Sequence, residues 1–193
     1  EDEKRILDFA ALRWKHDGTS YPPDMFVPLA ERSGAIVEIG RWVLAEALRA
    51  LVRWQRTPGF EQVTVAVNVS ARELLETDFA DAVLAAIDEA GAEPGRLVLE
   101  LTDHALVDVR AAHPMLSRLR ATGVVVSLDD FGTGYSSLTQ LRILPVDQLK
   151  LDRSFTQGLD RGDDRQRALV ESVVQLASGL ALGLRGLEPI ADG

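Results

Sequence analysis

Apolar and polar positions along the chain follow two alternating periods. Ile6 to Trp14 (ILDFAALRW) predicts a short strand and its exit. Lys15 to Pro23, with Gly18, Ser20 and a Pro pair, predicts a loop. Asp24 to Ser33 places Met25 with Leu29 and Phe26 with Ala30 at i, i+4, which predicts a short helix ended by Gly34. Ile39, Val43, Ala47, Ala50, Leu51 and Trp54 then share one helical stripe, with Glu46, Arg49 and Arg53 on other faces. Trp42 and Trp54 are expected to pack into the core with that stripe. Thr57-Pro58-Gly59 ends this second helix.

Beyond it, strand and helix patterns alternate. Val63 to Ser70 (VTVAVNVS) reads as a strand, and Asp78 to Ala90 as a helix stopped by Gly91. Leu97 to Leu101 is the next strand and Ala111 to Ala121 the next helix. The β-branched run Val124 to Val126 opens a buried strand that leads into Asp129-Asp130 and a Gly-rich loop. Ser136 to Arg142 reads as a helix start, Gln148 to Leu151 as a short strand and Gln166 to Leu182 as a last helix. Gly183 to Gly193 carries no clear pattern. Such alternation predicts an α/β protein with parallel strands joined by helical crossovers.

Polar residues recur where these strands end. Asn68, Glu100, Asp129 and Lys150 each close a successive strand, spaced by about one strand-helix unit. In a TIM-type (β/α)₈ barrel the strand ends converge on one face, where active sites form. A doubly wound sheet would spread these residues along a line, so the barrel is the preferred architecture. The adjacent carboxylates of Asp129 and Asp130 repel, and such pairs are commonly held by a cation or by hydrogen-bond donors. Asn68, Glu100, Asp129 and Asp130 offer only oxygen, which suits Mg²⁺, Mn²⁺ or Ca²⁺. Lys150 is either an ion-pair partner for these acids or a holder of water or of a phosphate oxygen. With a metal pair, the natural chemistry is in-line attack of water on a phosphodiester.

Composition narrows the classes. The 193 residues allow one substantial core, and a single domain spanning 1–193 is the default. A formal net charge of -9 argues against non-specific nucleic-acid binding and against an anionic membrane surface. Cysteine is absent, which excludes disulfides, thiolate metal sites and a cysteine nucleophile. His16, His104 and His113 fall in loops or on helices and read as solvated. No signal peptide or bilayer-length apolar run is seen, so a cytoplasmic domain is expected, alone or in a membrane-anchored parent.

Five segments in order resemble the EAL-domain family of cyclic-di-GMP phosphodiesterases. They are Pro23 to Glu31 (PDMFVPLAE), Val67 to Ser70 (VNVS), Leu99 to Asp103 (LELTD), Asp129 to Leu138 (DDFGTGYSSL) and Leu144 to Phe155 (LPVDQLKLDRSF). The resemblance implies a barrel of EAL type that opens cyclic-di-GMP to linear pGpG with two Mg²⁺ or Mn²⁺ ions. Carried over by position, Asn68, Glu100, Asp129 and Asp130 would ligate metal, with Asp130 also in the catalytic set. Asp152 would support the second metal and Lys150 would position the attacking water. Arg13 would contact the nucleotide, and Glu188 falls at the glutamate of the family's GVET segment. The family also implies a homodimer through the segment after DDFG, here Ser136 to Leu141.

The departures are specific. The name-giving glutamate is replaced by Phe9 or, anchored on the preceding strand, by Ala10, or a residue has been lost between them. Leu182-Gly183-Leu184-Arg185 runs directly into Gly186-Leu187-Glu188-Pro189, so the family's general-base glutamate is missing. The first strand and the last strand-helix units are also missing, leaving the expected barrel incomplete. One reading is a fragment of a longer multidomain signalling protein whose missing residues would restore catalysis. The other is a degenerate domain that acts as a cyclic-di-GMP receptor or protein-interaction module. The first is preferred.

Overall fold

The computed structural model describes residues 6–8, 12–102, 109–131, 141, 143–156 and 164–185. Its centre is a parallel sheet of six strands: β1 (Ile6–Asp8), β4 (Thr64–Val69), β5 (Leu97–Thr102), β6 (Val125–Phe131), β7 (Gln148–Leu151) and β8 (Gly183–Arg185). They lie side by side in chain order, with no reversal. A doubly wound sheet reverses direction at a switch point; an unbroken order is that of barrel staves. The described strands thus form an arc of six staves, with β1 and β8 at its edges.

Between the strands run α1 (Pro23–Ser33), α2 (Ile36–Gln55), α3 (Ala71–Leu74), α4 (Phe79–Ala90), α5 (Val109–Ala121), α6 (Arg153–Thr156) and α7 (Asp164–Gly179). Side chains paired across a parallel ladder share a face, and faces alternate along each strand. One face carries Val65, Val67, Leu97, Leu99, Leu101, Val126, Leu128 and Leu149, all buried. Val67 and Leu99 of that face line a cavity with Leu44 of α2 and Val83 of α4, which places it under the helices. Each fully buried leucine there contributes roughly 2 kcal/mol. The opposite face carries Val98 and Val125 together with small and polar residues: Thr64, Ala66 and Asn68, then Glu100, Ser127, Asp129, Gln148 and Lys150.

Three local expectations need correction. The segment expected as a loop after Trp14 is an antiparallel hairpin, β2 (Trp14–His16) and β3 (Thr19–Tyr21), turning at Asp17-Gly18. Its strands are too short to show a period of two, but the rings of Trp14 and Tyr21, 5.0 Å apart, pack across it. Trp42 is 55% exposed, not in the core. It lies two residues from the buried Leu44, about 200° around the helix; the observed stripe runs through Leu44, Ala47, Leu48 and Leu51. Finally, Gly183–Arg185 is a strand, paired with β7. Three residues are too few to display a pattern, and the ladder supplies the order.

One element went unassigned in the sequence reading although its Ser70-x-x-Glu73 pattern signals it: α3, a single turn started by a capping box. Ser70 Oγ accepts from the Glu73 N–H and Glu73 Oε2 accepts from the Ser70 N–H at 2.9 Å. The expected helix start at Ser136 to Arg142 lies, except for Leu141 and Ile143 beyond it, outside the described residues. No described helix is long and apolar enough to cross a membrane.

Candidate active site

Four adjacent staves bring the predicted polar residues to one end of one sheet face. Asn68 on β4 pairs in register with Glu100 on β5, and Glu100 with Ser127 on β6. Asp129 pairs with Thr102, one side-chain layer nearer the strand ends. Lys150 of β7 reaches across: its Nζ donates to Glu100 Oε1 at 2.9 Å and to Asp129 Oδ2 at 3.1 Å. The Glu100 side chain is almost fully buried, whereas about a fifth of Lys150 and Asp129 is exposed.

The sheet is irregular where the two aspartates stand. Leu128 pairs with Leu149, but the next pair is Phe131 with Leu151, so Asp129 and Asp130 together oppose Lys150. This is a β-bulge, a device that bends a strand and re-aims a side chain beside functional sites. Asp130 takes the left-handed conformation, φ 55°, which an Asp tolerates better than most residues. Its N–H donates to Asp129 Oδ1 at 2.9 Å, and its own side chain is exposed. In a regular strand, adjacent side chains point to opposite faces; the bulge keeps Asp129 on the polar face and gives Asp130 an independent direction.

Burial pulls the Lys150 ammonium toward neutrality. The charge and hydrogen bond of Glu100, and after them those of Asp129, outweigh burial and hold its pKa well above the ordinary 10.5. Lys150 is therefore a permanent cation at neutral pH. It can donate to an oxygen but cannot take a proton. Among the described residues, Glu100 and Asp129 engage two of its three N–H donors.

Two more of the predicted site residues, Asp152 and Arg13, are described. Asp152, just past β7, caps α6: its Oδ1 accepts from the Ser154 N–H at 2.9 Å. Arg13 follows β1 on the surface, and its guanidinium donates to the Leu12 carbonyl at 3.2 Å. Glu188, Phe9, Ala10 and His104 lie outside the described residues. Ser127, not singled out from the sequence, is fully buried on the polar face, and its Oγ has no partner among the described residues. Its parity with Asp129, two residues on, was the signal available.

Glu100, Asp129 and Asn68 present only oxygen donors from neighbouring strands, which fits a hard divalent cation. Among the described residues, no three acidic or histidine side chains converge on one point. Waters or substrate oxygens would have to complete the shell, as is usual for Mg²⁺.

A family model of the EAL domain matches residues 3–184. The chain belongs to the EAL-domain family. This EAL domain is 42% identical over 175 residues to the bifunctional diguanylate cyclase/cyclic di-GMP phosphodiesterase MucR of Pseudomonas aeruginosa, covering 90% of this chain and 25% of that protein. It is 41% identical over 175 residues to the cyclic di-GMP phosphodiesterase NbdA of the same organism, covering 90% of this chain and 22% of that one. The chain thus spans about a quarter of the length of these curated relatives. Among solved structures, the PaMucR phosphodiesterase in complex with c-di-GMP superposes with a TM-score of 0.79 at 41% identity, over 90% of this chain and 70% of that one. The EAL domain of Mycobacterium smegmatis DcpA does so at 0.72 and 37%, over 79% and 69%. The EAL-type barrel expected from the sequence is borne out, with the described strands as its six-stave arc.

Proposed function

We propose that this EAL domain hydrolyses cyclic-di-GMP to linear pGpG with Mg²⁺ or Mn²⁺. The observation that carries the reading is the Lys150–Glu100–Asp129 cluster at the ends of adjacent staves, in a chain 42% identical to a named cyclic di-GMP phosphodiesterase. When bound, a hard cation polarises a phosphodiester and acidifies a water. Asn68, Glu100, Asp129 and Asp130 hold the ions, and Asp152 supports the second. Lys150, protonated and anchored through two donors, holds the attacking water with its third. Arg13, and Glu188 outside the described residues, contact the nucleotide. The domain is part of a longer signalling protein and pairs with a second copy through Ser136 to Leu141.

A sequence observation favours a second reading. No glutamate stands between Asp8 and Arg13, where the family carries the one that names it. On that reading the site binds cyclic-di-GMP without opening it. The deciding assay incubates cyclic-di-GMP with the protein and Mg²⁺ or Mn²⁺ and separates pGpG from substrate. Product that vanishes with EDTA supports hydrolysis; saturable binding without product supports the receptor; neither overturns both. Asp129→Asn abolishes metal binding and turnover while leaving the fold largely intact. Turnover at the parent rate in that variant would defeat the metal assignment.

A further inference from the structure

We propose that Asp147 is a positioning residue that acts through Lys150, by pinning the start of β7 to β6. The inference rests on the role given to Lys150 above. β7 is four residues long, and only two of its pairs with β6 are regular before the bulge. So short a ladder specifies its own register weakly, yet a one-residue slip would turn Lys150 to the opposite face. Asp147, directly before β7, uses both its backbone and its side chain against that slip.

Its N–H donates to the Val126 carbonyl at 2.8 Å, and its Oδ2 accepts from the Val126 N–H at 2.9 Å. One residue of β6 is thus gripped from both sides. Val126 itself is fully buried, so without the carboxylate its N–H loses its protein partner and can be met only by water entering the vacated space. Asp147 Oδ1 accepts from Arg120 Nε at 2.9 Å and Nη2 at 2.6 Å, which ties the end of α5 to the same point. The Asp147 carbonyl accepts from the Gly183 N–H at 2.8 Å and starts β8. Three strands and a helix are therefore fastened at one aspartate, three residues from Lys150. It stands at the end of the sheet away from the reacting groups, and its influence on them runs through register.

The test compares Asp147→Asn, which keeps an acceptor for Val126, with Asp147→Ala, which does not. Asp147→Ser, too short to reach Val126, replaces the alanine variant if that one fails to fold. The first readout is the ¹H–¹⁵N signal of the Lys150 ammonium, assigned by its loss in Lys150→Met. The second is kcat and KM for cyclic-di-GMP with Mg²⁺, measured where near-UV circular dichroism shows each variant folded. The expected result is a lost ammonium signal and a kcat lower by about tenfold or more in Asp147→Ala, with KM changed less than twofold. Asp147→Asn is expected to rescue both. An unchanged ammonium signal in folded Asp147→Ala or Asp147→Ser overturns the proposal, as does an asparagine variant as impaired as the alanine one. If the parent protein turns over no substrate, the hydrolytic reading fails, while the ammonium signal still decides the role of Asp147.

Discussion

Two glutamates are buried among the described residues, and the sheet separates them. Glu100 stands on the polar face and shares the Lys150 ammonium with Asp129. Glu73 lies on the helix side, in a cavity of about 20 Å³ lined by Leu44, Val67, Val69 and Leu99. No cation pairs with Glu73 among the described residues; it accepts from the Ser70 N–H at 2.9 Å and from Ser70 Oγ at 2.6 Å. Space for it is made by Gly40 of α2, where a Cβ would stand 1.8 Å from Glu73 Oε1. Burial raises the Glu73 pKa, the two Ser70 bonds work against that, and the charge of Glu31 adds to it. One acid is buried as half of an ion pair, the other as a hydrogen-bonded cap. The first shares a cation with a second acid; the second has its carboxyl pKa raised by burial.

The largest expected effect is at Lys150. Lys150→Met removes the ammonium that Glu100 and Asp129 share and should cost about 3 kcal/mol by urea unfolding at neutral pH. Mg²⁺ should recover part of that loss by binding the two acids, so a variant whose midpoint ignores Mg²⁺ would break the metal assignment. The pH dependence has a definite sign. The folded pKa of Lys150 is raised, so its contribution is full below the ordinary 10.5 and is lost as pH rises through the folded value. Stability of the parent protein should therefore fall at strongly alkaline pH with a component that Lys150→Met lacks.

Glu73 should behave in the opposite way to a paired acid. Its pKa is also raised, but for a carboxyl this means that stability is favoured below the ordinary 4.5 and is lost as pH rises through the folded value. Glu73→Gln keeps an acceptor for Ser70 and should match or exceed the parent at pH 8 in thermal unfolding. Glu73→Ala removes the acceptor and enlarges the cavity, at a cost of about 2 kcal/mol. A glutamine variant as unstable as the alanine one would mean that the charge itself is needed there.

Smaller effects probe the polar face around Glu100. Asp130→Gly keeps the left-handed backbone of the bulge, whereas Asp130→Ala strains it, so the alanine variant should be the less stable by about 1 kcal/mol. Equal stabilities would show that the bulge does not depend on that conformation. Ser127→Ala removes a buried hydroxyl that has no partner among the described residues and should stabilise the fold slightly, by up to about 1 kcal/mol, seen as a higher thermal midpoint. A lowered midpoint would show that Ser127 Oγ holds an ordered water beneath Glu100.

Much of this was legible in the chain itself. The helices at α1, α2, α4 and α5 and the strands β4 to β7 follow from periodicity, because each buries a face long enough to show one. Asn68, Glu100, Asp129 and Lys150 announced themselves as polar residues closing apolar strands. What stayed hidden was short or non-local. The hairpin β2–β3 and strand β8 each have strands of three residues, too few for a pattern. The exposure of Trp42 depended on which side of α2 meets the sheet, and a helix with apolar residues on several faces leaves that choice to its neighbours.

Family, stave order and the kind of atom at each strand end follow from the amino-acid chain alone, because these are properties of local pattern and residue chemistry. How those atoms meet depends on the packing of strand against strand. Asp129 and Asp130 are neighbours in the chain, yet both oppose Lys150 only because the ladder skips a residue between Leu128 and Phe131. Glu100 and Lys150 are fifty residues apart and sit 2.9 Å from each other through registers that Asp147 helps to hold. Register is a contract between strands, written in hydrogen bonds across a ladder, and no one strand contains its terms.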